Sequence, residues 1–535
     1  MSRNPNEMHS SNAQLERQLE HGYALLKAGS VQAALDLVQL LPAGIASSAA
    51  MLDFASEAHL ANGDPHAALD LIGKAVSASG GHLMLKMKKA RLLLQMRRRV
   101  EVEALLADIA AQAGGNGGLL WQVGSFHANC NLFEQAIALY EKARGLMGSD
   151  PGLLYDMAVS RFFTGDFEQA ERDLDLMLKI APQAGHALYL RATLKRQTRE
   201  QNHIEDIEAR LKTGLKEPQH ESAALYALSK ELEDLGESER SFAVLRSAAA
   251  KKRSTLKYDI TAELASLRAV REAYTAQVMT DGAEGHDGEG AIFIVGMPRT
   301  GTTLAERMLV QSGRVQSAGE LLDFGNVLGV AARARMAADA AIPSTAVASL
   351  GIDFARLGRE YLRGASEAAR GAPLFIDKMP INFLYCGMIH KALPKAKIIH
   401  LVRDPLDSCY AVFKTLFFSA YHFSYDLDEL ADYYIAYHEM IRHWHTVMPG
   451  VILDVHYEHL VTEPERESRR LFDWCGLPWQ PSVLETSTQK ATFATASAAQ
   501  VREPVHQRSI NSASKHREGL QPLIRKLAAA GVISA

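Results

Sequence analysis

Small apolar residues recur through the first half of the chain on a 34-residue spacing. Ala34, Ala68, Ala136 and Ala170 share one register, and Val102 fills the third slot. Five positions before them lie Gly29, Gly63 and Gly165, with Arg97 and Asn131 in the degenerate copies. The segments NLFEQA and GDFEQA, ending at Ala136 and Ala170, show the repeat most plainly. A glycine or asparagine tolerates the left-handed backbone of a turn between helices. The small residue then lets the second helix of a pair approach its neighbours closely. One such pair cannot bury its apolar face alone, so the spacing predicts several stacked pairs. The register runs on through Ile204 and resumes near Ser241, which makes about seven units over residues 12–253.

After this the grammar changes. Residues 254–290 read as a bridging helix (Thr255 to Met279) followed by a linker, DGAEGHDGEG, that is rich in glycine and acid and has no apolar anchor. Then come four short runs rich in Ile and Val: AIFIVG (291–296), APLFID (372–377), AKIIHLV (396–402) and VILDVHY (451–457). Longer helical stretches separate them, the pattern of a parallel sheet covered on both faces. The fold class expected is therefore α + α/β: a helical solenoid followed by an α/β domain over 291–535. The 34-residue period of the first half resembles the tetratricopeptide (TPR) repeat. Grooves of that repeat usually bind peptides, and some arrays only brace a partner domain.

Composition narrows the function. A formal net charge of -4 over 535 residues argues against a nucleic-acid binder. Cys130, Cys386, Cys409 and Cys475 lie far apart with no CxxC pair, which predicts neither a zinc site nor a disulfide framework and fits a reducing compartment. The polar start MSRNPNEMHSSNAQLERQ has no apolar signal core, and no uninterrupted apolar run reaches membrane length. A cytoplasmic protein without a membrane span is expected. The histidines His438, His443 and His445 do not read as a metal site, because His438 shares a packed helical face with Tyr434 and Ile441.

The strongest motif is IFIVGMPRTGTTLAERML, residues 292–309. A buried strand ends at Gly296, a short loop follows, and a helix opens near Gly301. Backbone N–H groups at such a helix start cradle phosphate oxygens, aided by the helix dipole. The Gly296-to-Gly301 spacing equals that of a nucleotide-triphosphate loop, but Thr302 stands where such a loop needs lysine. That disfavours ATP or GTP hydrolysis. Arg299 and the hydroxyls of Thr302 and Thr303 remain to meet an anion.

The segment GMPRTGTTL resembles the 5′-phosphosulfate loop of sulfotransferases that use PAPS (3′-phosphoadenosine 5′-phosphosulfate). The resemblance implies that Arg299, Thr300, Gly301, Thr302 and Thr303 hold the 5′ phosphate and sulfate. KIIHLVRDPLDSCYAVFK, residues 397–414, resembles the same family's 3′-phosphate segment: a strand ending in Arg403, then a helix capped at Asp404 with Pro405 in its first turn. The family's serine eight residues beyond the arginine is Ala411 here, and Ser408, one turn closer to the strand, is the expected substitute. Glu320 in SAGELLDF and Lys378 in FIDKMPINF match the catalytic glutamate and lysine of the protein-tyrosine branch. VREPVHQRSINSASKHREGLQPL, residues 501–523, resembles the closing segment of bacterial TPR-linked sulfotransferases, where Ser509 and Lys515 would reach back toward the cofactor. The expected Gly-Arg-Trp after that serine is Asn511, Ser512, Ala513.

The resemblance covers residues 291–523 and implies a PAPS-dependent sulfotransferase that releases PAP and needs no metal. Glu320 would be the base, Arg299 and Lys378 would face the transferring group, and Ser509 would add a hydrogen bond. The acceptor would be a hydroxyl, such as one on a peptide or protein held in the TPR groove. A scaffold with a catalytically weakened domain is the alternative, and a nucleotide kinase is disfavoured by the missing lysine.

Overall fold

The structure, a computed structural model, describes residues 5–281, 285–485 and 505–534. Positions 1–4, 282–284 of the expected linker and 501–504 of the expected closing segment lie outside the described residues. The chain divides into two compact units, one of residues 1–130 with 138–148, the other of residues 131–137 with 149–535.

Among the described residues, seven helix pairs follow one another in chain order. The first is Pro5–Lys27 with Val31–Gln39 and the last is Pro218–Asp234 with Ser238–Ser254. Each register position is sealed: Ala34, Ala68, Val102, Ala136 and Ala170 have no exposed surface. The turn positions of these five copies are left-handed, glycine or not. Gly29, Gly63 and Gly165 have φ between 76° and 87°, while Arg97 and Asn131 take 61° and 60°. Local chemistry starts the helices as well. Asp64 and Asp150 accept hydrogen bonds from the first-turn amides, each followed by a proline that needs no amide partner there.

The expected bridging helix is two helices, Ile260–Ala273 and Ala276–Thr280, broken where the backbone departs from helix at Tyr274. The second unit then builds a five-stranded parallel sheet from β1 (Ala291–Gly296), β2 (Gln316–Gly319), β3 (Phe375–Asp377), β4 (Lys397–Val402) and β5 (Ile452–His456), in the order β2-β3-β1-β4-β5. Four of these fall on the four apolar runs. The edge strand β2, QSAG, is too short and too rich in small residues to stand out as a strand.

Central β1 is buried on both faces, and its alternation sorts its residues between two cores. Phe293 and Val295 join one cluster, Ile292 and Ile294 the other. The first of these clusters also takes in Tyr226, Phe242, Leu245, Ala248 and Ala249 from the seventh helix pair. The last repeat and the sheet therefore share one hydrophobic core. Because β1 leads toward β2 and β4 leads toward β5, the chain switches direction between these two adjacent strands. The carboxyl ends of two such strands are the usual ligand position of an open α/β sheet.

The left-handed turn predicts a measurable asymmetry. Gly165→Ala places a Cβ at φ 87° and should lower stability by about 1 kcal/mol. Asn131→Gly, at a position already left-handed with a side chain, should change it by only a few tenths of that. Urea midpoints at unchanged m-value check both.

Candidate active site

The loop after β1 is bent by three residues of positive φ: Gly296 at 148°, Arg299 at 66° and Gly301 at 95°. Gly301 is required twice over. Besides its backbone angle, a Cβ there would come within 2.6 Å of Cδ2 of the Tyr457 ring. Left-handed backbone at a residue as large as Arg299 costs about 1–2 kcal/mol and persists only where its surroundings impose it. The Thr300 hydroxyl donates to the Met297 carbonyl at 2.7 Å and locks the turn. Thr302 and Thr303, both buried, begin the helix Thr302–Val310, and the Leu304 and Ala305 amides donate to the Gly301 carbonyl at 3.0 and 3.2 Å.

Arg403, just after β4, meets this loop across the switch point. Its Nη1 donates to the Arg299 carbonyl at 2.9 Å and its Nη2 to the Ser509 carbonyl at 2.6 Å. The guanidinium also lies over the Tyr457 ring, 4.8 Å from its centroid. Its buried Nε has no hydrogen-bond partner among the described residues. Burial pushes the Arg299 guanidinium below its ordinary value, and the Arg403 cation pushes the same way. Arg403 is buried and Arg299 partly exposed, and the two cations lie close together near the start of this helix.

The helix Pro405–Phe413 follows, capped by Asp404, which accepts from the Asp407 amide at 2.9 Å with Pro405 in the first turn. Ser408 is fully buried; its hydroxyl donates to the Arg403 carbonyl at 3.4 Å, with the Tyr434 hydroxyl beside it. Ala411 is 6% exposed. Asp407 was not singled out by sequence, yet it anchors the closing segment. Its carboxylate accepts from the Asn511 amide at 2.6 Å, the Ser512 hydroxyl at 3.1 Å and the Ala513 amide at 2.8 Å. Ser509 contributes its backbone carbonyl to Arg403, and Lys515 is exposed on the short turn Ser512–His516.

On the other side of β1, Glu320 and Lys378 come together. An extra residue in β2 shifts its register against β3 between Ser317 and Gly319, and this bulge delivers Glu320 beside the end of β3. There the Lys378 ammonium, 2% exposed, donates to the Glu320 carboxylate. A second carboxyl stands close by. Glu306, on the helix Thr302–Val310, accepts from Ser317 at 2.6 Å; burial pushes its pKa up and the Lys378 charge opposes that. Its sequence signal was faint: a lone glutamate four positions beyond Thr302.

Behind the loop, His400 on β4 bonds through Nδ1 to Asp454 at 2.8 Å and through Nε2 to the Tyr437 hydroxyl, while His445 reaches Asp454 at 3.1 Å. Burial alone would raise the Asp454 carboxyl, but the two imidazoles hold it well below the usual carboxylate range. Their ligand atoms lie within 4.8 Å of one another, and the hydrogen bonds among them account for the arrangement. His443 instead faces the Tyr274 carbonyl at 2.8 Å.

Comparison with known proteins bears on this domain. Residues 291–481 match the model of the sulfotransferase family. An uncharacterized protein of Aquifex aeolicus (strain VF5) is 28% identical over 401 residues, 74% of this chain and 52% of that protein. Protein-tyrosine sulfotransferase 1 of Danio rerio is 28% identical over 205 residues, 36% of this chain and 55% of that protein. The chain thus spans about half the length of these two relatives. Among solved structures, the sulfotransferase domain of the Synechococcus PCC 7002 olefin synthase matches 48% of this chain and 98% of its own, at 18% identity and a TM-score of 0.34. The C-terminal part of a TPR repeat-containing protein from Cytophaga hutchinsonii matches 44% of this chain and 93% of its own, at 13% identity and a TM-score of 0.35. Among the described residues, no helix is long and apolar enough to cross a membrane.

Beneath the Glu320–Lys378 pair, Asp377 is completely buried, and burial pushes its carboxyl up to about 8. Donors at Tyr361 (2.8 Å), Leu321 (3.3 Å) and Asn382 (3.3 Å) only partly oppose this. Between the ordinary carboxyl value of about 4 and that value, the folded chain keeps a proton that the unfolded chain releases. Stability should therefore fall as pH rises from about 4 to about 8 and level off beyond. Asp377→Asn should flatten that slope in thermal melts; an unchanged slope would place the proton elsewhere.

Proposed function

We propose that this chain, a member of the sulfotransferase family through residues 291–481, transfers a sulfuryl group from PAPS to an acceptor hydroxyl. One observation carries the reading: the buried Arg403 is tied to the Arg299 loop, next to the helix Thr302–Val310 at the switch point of the sheet, with the partly exposed Arg299 cation near it and Arg403 Nε without a hydrogen-bond partner among the described residues. That is a cradle for phosphates. It has no lysine at Thr302 to serve a nucleotide triphosphate.

PAPS, when bound, supplies a sulfuryl group on a phosphate leaving group. The Gly301–Thr303 amides and the Thr302 and Thr303 hydroxyls hold the 5′ phosphate and sulfate, with Arg299 beside them. Thr300, its hydroxyl committed to Met297, contributes its backbone. Arg403 and Ser408 hold the 3′ phosphate, and Ser509 and Lys515 close the site from the carboxy-terminal segment. Glu320 accepts the proton of the acceptor hydroxyl, and Lys378 brings a positive charge to the transferring oxygens. Such in-line transfer is mostly positioning and charge stabilisation, which these side chains supply without a metal ion. The match to protein-tyrosine sulfotransferase 1 supports a peptide or protein acceptor, brought in by the TPR array. Four cysteines with no disulfide among the described residues support a cytoplasmic setting.

Labelled PAPS incubated with cell extract, with products identified by mass spectrometry, tests the activity. Arg299→Ala should remove about 2–4 kcal/mol of transition-state stabilisation. Glu320→Gln should collapse turnover while PAP affinity stays within about twofold, and the loss should shrink for acceptors with acidic hydroxyls. Equal losses for acidic and ordinary acceptors would make Glu320 a structural residue.

A further inference from the structure

The seventh helix pair does more than share a core with the sheet; it holds the two elements that close over the phosphate cradle. Phe242, on the helix Ser238–Ser254, stacks on the His516 ring with centroids 4.9 Å apart and planes 16° from parallel. The same imidazole lies 4.8 Å from the Tyr410 ring, on the helix that follows Arg403. Gly519 is pressed onto the Phe242 ring so closely that a Cβ would meet Cε1 at 2.1 Å. From the helix Pro218–Asp234, Glu233 accepts the Tyr410 hydroxyl at 3.0 Å and the Lys414 ammonium at 2.8 Å. On the same helix the Tyr226 hydroxyl donates to the Phe413 carbonyl at 3.3 Å.

The closing segment 509–516 is thus gripped at two places. Arg403 and Asp407 take its first half by backbone atoms, and Phe242 with Tyr410 takes its end through His516, 5% exposed. Within the segment itself, only Ala513 and His516 are buried. Its order therefore comes from these two grips. A segment left to be ordered by the ligand charges that entropy against binding.

We propose that Phe242 and Glu233, both in the last repeat, are positioning residues for the donor site. They hold the helix Pro405–Phe413 and the closing segment in the arrangement that receives the 3′ phosphate. The last repeat is then part of the nucleotide site. This rests on the PAPS reading above, through Arg403 and the closing segment.

Calorimetric titration of the full chain with PAP, together with hydrogen exchange over 505–516, tests it without any acceptor. Phe242→Leu should weaken PAP about tenfold and speed exchange through 509–516. His516→Ala should do the same, and His516→Phe, which keeps a ring in the stack, should retain parent affinity. Met51→Ala, in the separate core of the first two helix pairs, should lower the melting temperature without altering PAP binding. Should Phe242→Leu fail to fold, Glu233→Gln must show the loss instead. Parent affinity in Phe242→Leu, or an equal loss in Met51→Ala, overturns the proposal. A parent chain that binds no PAP overturns the donor reading itself, and unliganded exchange in Phe242→Leu then still decides whether the last repeat orders the segment.

Discussion

The guanidinium of Arg403 is the tie on which the site depends. It bonds at once to the carbonyl of Arg299 in the loop after β1 and to the carbonyl of Ser509 in the closing segment, with Tyr457 against its face. A single planar cation with several donors in fixed directions can hold three separate stretches of chain in this way; a lysine could not. The tie also keeps the left-handed Arg299 in place, since that backbone would relax without a partner for its carbonyl. One buried nitrogen of the tie remains unmatched, and it sits where the strands change direction.

Much of this was legible because local physics produced it. The 34-residue register was readable since each small residue must vanish into a helix contact, and all five did. Arg97 and Asn131 show that position, not glycine as such, defines the turn. Asp404 and Pro405 announced a helix start, and β1 and β4 announced themselves as unbroken apolar runs. What escaped notice depends on tertiary placement. Strand β2 forms because β3 lies beside it, and the bulge that aims Glu320 exists only in that pairing. Asp407 reads as an ordinary first-turn aspartate until the closing segment arrives to use it. Phe242 and His516 lie too far apart in the chain for any local pattern to join them.

The last helix pair joins the sheet in one core. A TPR array attached by a linker would bring acceptors near and leave the chemistry alone. Here Tyr226, Phe242 and Leu245 belong to the same core as Phe293 and Tyr410, so the domain's core is incomplete without the last helix pair. Hydrophobic burial of that kind is non-directional, and the Glu233–Lys414 and Tyr226–Phe413 bonds give it a direction.

On the proposed function, the loop after β1 and the turn after β4 receive a 3′,5′-bisphosphate. Titration of the parent chain with PAP, adenosine 5′-monophosphate and ATP with magnesium, in one buffer, tests it most directly. PAP should bind tightest. Loss of the 3′ phosphate should cost about 1.5–3 kcal/mol, the value of hydrogen bonds to a charged group, and ATP should gain nothing from its extra phosphates. Binding of ATP with magnesium ahead of PAP, or equal binding of PAP and the monophosphate, would contradict it.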